Sequence, residues 1–153
     1  MSDTVKETQN IGKRVQRLED PRLLSGRAKY IDDICRPGML HLSLVRAQVA
    51  HGRITEIDID DAKDIGGDVQ IFTGDDTIGL AVTANAEVPE MQFSQQPLLA
   101  ENKVRFVGEA VAAVLAEDPY RAEDAAELVF VDYDILPVIA DVRTALDEES
   151  PTM

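Results

Sequence analysis

The stretch from Lys103 to Leu136 constrains this chain more than any other part of it. Val111-Ala112-Ala113-Val114-Leu115-Ala116 is an unbroken apolar run, the mark of a strand covered on both faces. Asp118-Pro119 follows, an N-cap acceptor and then a proline at the first helical position, where a missing N–H costs nothing. Ala122, Ala125, Ala126 and Val129 recur at helical spacing, with Tyr120, Glu123, Asp124 and Glu127 on the opposite face. A face made nearly all of alanine lets a helix lie close on a sheet. Val129, Val131, Tyr133 and Ile135 then alternate with Phe130, Asp132 and Asp134, the period of a half-buried strand. The expected unit is a strand–helix–strand crossover, normally right-handed.

Upstream, Met39 to Ala47 reads as a strand, with Leu40, Leu42 and Leu44 on one face and His41, Ser43 and Val45 on the other. Arg53 to Asp60 alternates as a second strand, which places Ile54, Glu56, Asp58 and Asp60 opposite Thr55, Ile57 and Ile59. A short helix capped by Asp60 or Asp61 is expected through Ile65, closed by Gly66-Gly67, and Val69 to Thr73 is a third strand. Thr77 to Pro97 lacks a period and is expected to be a loop. Leu98 to Val107 resumes strand character, with a kink at Glu101-Asn102. Val142 to Leu146 suggests a short helix.

The two ends read differently. Residues 1–10 are polar and expected to be a disordered tail. Residues 11–29 form an extended arm with a turn at Asp20-Pro21, with Leu18, Leu23 and Leu24 as its anchors. Tyr30-Ile31-Asp32-Asp33 leads into a Pro37-Gly38 turn. The domain is placed at 11–147, and the polar tail 148–153, which has no closing element, is an expected truncation point.

Composition excludes several classes of function. The 153 residues carry a net charge of -14, and a body this acidic repels phosphate backbones, so no nucleic-acid partner is expected. Residues 12–29 run against that trend: Lys13, Arg14, Arg17, Arg22, Arg27 and Lys29 face only Glu19 and Asp20. This basic arm either folds back on the acidic body or docks on a partner protein. No apolar run approaches the roughly 18 residues of a membrane span, and no secretory h-region opens the chain, so no membrane association and a cytoplasmic location are expected. Cys35, the single cysteine, permits no internal disulfide and cannot alone supply a zinc or iron–sulfur site.

Reactive constellations are sparse. Gly66-Gly67 and Gly74 are separate turn glycines, outside any phosphate-binding pattern. His41 lies within a strand, where a satisfied core or edge histidine is the plainer reading. His51 sits beside Gly52 and is more open to a role, but no neighbouring Glu or Cys completes a metal site. Asp58, Asp60 and Asp61 suggest calcium, yet they lack the loop glycine and distal glutamate of an EF-hand and read as a solvated strand end. Gly108-Glu109 implies a bulge or tight turn that puts Glu109 at a strand end, where sites often lie; a turn glutamate facing water is the preferred reading. No catalytic, cofactor-binding or metal-binding residue is assigned.

A series of ordered motifs nevertheless resembles one family. Ile11-Gly12-Lys13-Arg14-Val15-Gln16-Arg17-Leu18-Glu19-Asp20-Pro21-Arg22-Leu23-Leu24-Ser25-Gly26 is similar to the opening of the large subunit of molybdenum hydroxylases, the xanthine dehydrogenase, aldehyde oxidase and carbon monoxide dehydrogenase family. The resemblance continues at Tyr30-Ile31-Asp32-Asp33-Ile34, Pro37-Gly38-Met39-Leu40-His41, Val45-Arg46-Ala47, Ala50-His51-Gly52-Arg53-Ile54, Phe72-Thr73-Gly74-Asp75-Asp76, Val104-Arg105-Phe106-Val107-Gly108-Glu109, Asp132-Tyr133 and Leu136-Pro137. It spans nearly the whole chain from Ile11 to Leu146. At Ala47-Gln48-Val49 relatives often show a serine-proline-histidine step instead, which leaves His51 alone.

The resemblance implies an α+β fold of the α/β-hammerhead type, a mixed sheet with a β-α-β crossover and short helices. It implies an oxidoreductase subunit that, when complete, carries molybdopterin and hydroxylates an aldehyde, purine or N-heterocycle with oxygen from water. Carbon monoxide is a further substrate in the family. Electrons would leave through [2Fe–2S] clusters and FAD on partner subunits or domains. The family's cofactor-binding and catalytic motifs lie downstream and have no counterpart here, so no cofactor is expected in this chain. Its expected partners are the remaining molybdopterin-binding domains and the iron–sulfur subunit. The alternative is a free-standing, non-catalytic module that binds a protein or small molecule. A weaker one is an independent enzyme using Glu109 and His51.

Overall fold

A computed structural model of the chain describes residues 12, 14–83, 95–148, 150 and 151. The expected tail 1–10 and residues 84–94 of the expected loop lie outside the described residues. The chain divides into two compact units, Met1–Pro37 and Gly38–Met153. No helix among the described residues is long and apolar enough to cross a membrane.

In the first unit the extended arm contains a helix. Residues Asp20–Leu24 form α1, with Pro21 near its start, because proline at an N-terminal position is preorganised for a helix as well as for a turn. Ser25 Oγ donates to the Pro21 carbonyl at 2.6 Å, and the amides of Arg27 and Ala28 return to Arg22 O at 2.9 and 3.0 Å. Ile31–Asp33 is a 3-10 turn held by Tyr30 N–H donating to Asp33 Oδ2 at 2.9 Å. Leu18 and Leu24, expected anchors, are exposed.

The second unit contains β1 (His41–Arg46), β2 (Gly52–Asp58), α2 (Asp60–Asp64), β3 (Gln70–Thr73), β4 (Ala81–Thr83), β5 (Gln95–Pro97), β6 (Lys103–Val104), β7 (Ala110–Ala116), α3 (Pro119–Glu127) and β8 (Phe130–Ile135). They build a sheet of order β1-β7-β3, a second of order β6-β2-β8 and a β4-β5 hairpin. The α+β hammerhead class stands, and its detail differs from the crossover expected. β7 and β8 lie in different sheets, and among the described residues every strand pairing is antiparallel. The sheets formed by these residues are therefore not mixed. Helix α3 carries the chain from one sheet to the other rather than back beside β7.

Local chemistry explains the central elements. Asp118 Oδ1 accepts from Arg121 N–H at 3.0 Å, capping α3. Ala122 and Ala125 are buried on its inner face, which lies on β1 and β7. One core joins Ala62, Ala112, Val114, Ala125 and Val129. A second joins Ala47, Ala100, Val104 and Val111, with Ile54, Ile57 and Tyr133 packed against it.

Several local expectations are corrected. The alternation in β2 shifts register between Ile54 and Glu56, which pair with Tyr133 and Asp132. Thr55 is the extra residue of this bulge, and it lets both Ile54 and Ile57 face the core. Asp60 and Asp61 do not cap α2; the Asp58 carboxylate instead accepts from Asp60 N–H at 3.0 Å. The expected loop contains β4 and β5. The strand expected over Leu98–Val107 shrinks to Lys103–Val104, because Leu99 and Ala100 are buried as core plugs instead. Val142 to Leu146 forms turns and no helix, and Val142 and Leu146 are exposed.

Gly74 packs so tightly that a Cβ there would meet the Ala100 carbonyl and stand 2.7 Å from Glu101 Cα. Gly74→Ala is expected to destabilise the protein by about 1–3 kcal/mol, measured as a lower urea midpoint. Burial pushes the Tyr133 phenol above its ordinary value. The folded state thus holds that proton more tightly. Its contribution is fully present below the unfolded value of about 10 and is lost as pH rises through the folded one. Tyr133→Phe should flatten the alkaline fall in melting temperature.

Candidate functional site

Glu109 and His51 are the two buried polar side chains among the described residues, at 5% and 3% exposure. Glu109 follows the turn between β6 and β7, where Gly108 has φ +91, a left-handed conformation that glycine adopts freely. Its carboxylate accepts from Arg105 N–H at 2.5 Å and from Arg105 Nη1 at 3.0 Å. The Glu109 carbonyl accepts from Ala47 N–H, and Gly108 N–H donates to Ala47 O, both at 2.8 Å. Arg46 Nη1 donates to Gly108 O at 2.8 Å. The reading of Glu109 as a turn residue facing water is thus corrected: it is in the turn but points inward. Burial is possible because both carboxylate oxygens meet donors.

His51 occupies the approach to β2. Its Nδ1–H donates to the Pro137 carbonyl at 2.7 Å, and Leu136 N–H donates to His51 O at 3.0 Å. A carbonyl only accepts, so Nδ1 carries the proton. Nε2 is buried and makes no hydrogen bond among the described residues. The ring fastens the end of β8 to the beginning of β2.

The other candidates do not converge on these two. His41 is half-buried at the start of edge strand β1. Asp58, Asp60 and Asp61 are exposed, and Cys35 is free and exposed. Among the described residues no three His, Cys, Asp or Glu side chains gather as a metal site. A general base must reach the proton it takes; the Glu109 carboxylate is buried and turned inward onto Arg105.

One further site feature has no signal in the local sequence. A cleft of about 470 Å³ beside the β4-β5 hairpin is lined by Arg53, Lys103 and Arg105, with Glu101 beside them. Arg53 and Lys103 stand opposite each other in the β2-β6 pairing, fifty residues apart in the chain, so no local pattern announces them. Arg105 is committed to Glu109. Among the described residues the cleft is lined mainly by charged and apolar groups, with no Ser, Thr, Cys or His side chain.

The family model described as the a/b hammerhead domain of aldehyde oxidase and xanthine dehydrogenase matches residues 25–137. The carbon monoxide dehydrogenase large chain of Hydrogenophaga pseudoflava is 41% identical over 135 residues, covering 88% of this chain and 16% of that one. The xanthine dehydrogenase molybdenum-binding subunit of Escherichia coli O157:H7 is 36% identical over 132 residues, covering 83% and 17%. Among solved structures, quinoline 2-oxidoreductase from Pseudomonas putida 86 superposes with a TM-score of 0.80 at 43% identity, covering 91% of this chain and 18% of that one. The chain spans less than a fifth of the length of these relatives.

Replacing the buried acid tests its structural role. Glu109→Ala strips Arg105 of its partner and is expected to cost about 1.5–3 kcal/mol, the range for hydrogen bonds to charged groups. His51→Ala loses one neutral bond and should cost less, about 0.5–1.5 kcal/mol plus the lost packing. Chemical denaturation of both variants measures the order.

Proposed function

The chain belongs to the aldehyde oxidase and xanthine dehydrogenase family as its α/β-hammerhead domain, and from that membership we propose that it is a structural and docking module of a molybdenum-hydroxylase large subunit. The observation that carries this reading is the use of its buried polar groups. Glu109 and His51 both bind the chain's own backbone, so their bonding serves the fold rather than a substrate.

The donor set supports placing the redox chemistry elsewhere. A [2Fe–2S] cluster takes four cysteine thiolates, and this chain has Cys35 alone; these residues do not fit such a cluster. In the family that the sequence resembles, molybdopterin belongs to the complete large subunit, and [2Fe–2S] and FAD belong to partner subunits or domains. The proposed partners are accordingly the remaining molybdopterin-binding domains and the iron–sulfur subunit. The lone, exposed thiol suits a reducing compartment, and the cytoplasm is the proposed location. The relatives are named for carbon monoxide, xanthine and quinoline, so one scaffold accompanies several substrates and the substrate is selected outside it.

Residues 13–29 supply Lys13, Arg14, Arg17, Arg22, Arg27 and Lys29 as a basic docking strap. Co-produced with the rest of the Hydrogenophaga pseudoflava large chain, lacking its own matching 135 residues, this protein is expected to form a one-to-one complex. That complex should weaken with salt, as charge contacts are screened. Purified alone, the protein should hold far less than one molybdenum per chain by elemental analysis. No complex, or stoichiometric molybdenum in the lone chain, would overturn the reading.

A further inference from the structure

The sheet β1-β7-β3 has two faces, and the chain covers them unequally. Val45, Ala112, Val114 and Ile71 point toward α2 and α3 and belong to the packed core. Side chains alternate along a strand, and directly paired residues share a face. The register pairs Leu44 with Ala113 and Ala113 with Phe72, and pairs Leu42 with Leu115. These five residues therefore form an apolar stripe across all three strands on the opposite face, with Gln70, paired with Leu115, as a polar residue at its edge. Val111, on that same face of β7, is fully buried with Ala100 and Val104. Beyond it the cover stops: Leu42 is 59% exposed and Phe72 37%, with Leu44, Ala113 and Leu115 half-buried.

An antiparallel strand with one wet face alternates apolar and polar residues. β7 reads Ala110-Val111-Ala112-Ala113-Val114-Leu115-Ala116 without a polar position, the pattern of a strand covered on both sides. The sequence therefore provides for a second cover that the described residues do not supply over Ala113 and Leu115. We infer that the Leu42–Leu44–Phe72–Ala113–Leu115 face is the docking surface for the polypeptide that large-subunit relatives carry in addition to this domain. The partner presents an uncharged, apolar surface.

Two observations choose this occupant over a second copy. The chain amounts to 16–18% of the length of relatives such as the carbon monoxide dehydrogenase and nicotine 6-hydroxylase large chains, so most of a large subunit is available to cover the face. Two copies would each bring a net charge of -14, and that repulsion opposes self-association.

The inference rests on the proposed role within a large subunit, and the test separates the two. The double variant Leu42→Glu/Phe72→Lys, a milder Leu42→Thr/Phe72→Thr that keeps strand-favouring residues, and a control Tyr120→Asp on the exposed side of α3 are each co-produced with the rest of the Hydrogenophaga pseudoflava large chain. Native circular dichroism of each variant alone establishes folding. Wild type and the control should bind one to one, and both stripe variants should bind about tenfold or more weakly. Undiminished binding by a folded stripe variant overturns the docking face and leaves the large-subunit role standing. Failure of wild type to bind overturns both. Sedimentation of the lone wild type as a dimer that becomes monomeric with the threonine pair would overturn the inference in favour of self-association.

Discussion

The close packing of α3 on β7 is the contact on which the second unit depends. β7 is the central strand of its sheet, so β1 and β3 both take their register from it. The helix can approach because Ala122 and Ala125 present only methyl groups, and both are buried. Asp118 fixes where the helix starts, immediately after β7 ends. Small side chains on one element and an apolar strand on the other thus convert a local pattern into the main layer of the domain.

The strand is held at its other end by polar chemistry. Glu109 draws in Arg105 through both backbone and side chain, while Gly108 N–H donates to Ala47 O and Ala47 N–H donates to Glu109 O across the same corner. This ties the loop after β6 to the end of β1 just before β7 begins. His51 makes a comparable tie between β2 and the residues after β8. The acidic residue buried among the described residues, Glu109, is one whose charge is met inside the fold. That arrangement suits a scaffold, since the buried carboxylate and Arg105 fasten the corner from which β7 begins.

Legibility in the sequence followed the range of the interactions. β7, the cap at Asp118 and the two faces of α3 were readable because each depends on neighbours within a few residues. The family was readable because its motifs recur in order along the chain, and the matching model spans residues 25–137. The β2 bulge was not readable, because the sequence around Thr55 alternates acceptably in either register and only pairing with Asp132 and Tyr133 selects one. The β4-β5 hairpin and α1 were missed for a related reason: short elements carry too few residues for a period to stand out. Glu109 was singled out by its place after a glycine, but its inward orientation needed Arg105, which local pattern did not identify as its partner.

By itself the sequence determined which segments are strand or helix in the centre of the chain, where α3 begins, and which family the protein belongs to. Those properties reside in period-2 and period-3.6 patterns, capping groups and motif order, all expressed along the chain. The tertiary structure decided that β7 and β8 enter separate antiparallel sheets, that Glu109 and His51 are internal fasteners, and that the Val45 face of β1 is packed while the Leu42 face is left open. Each of these depends on contacts between residues far apart in sequence. Alternation shows that a strand has two faces; only the elements packed against it determine which face is covered.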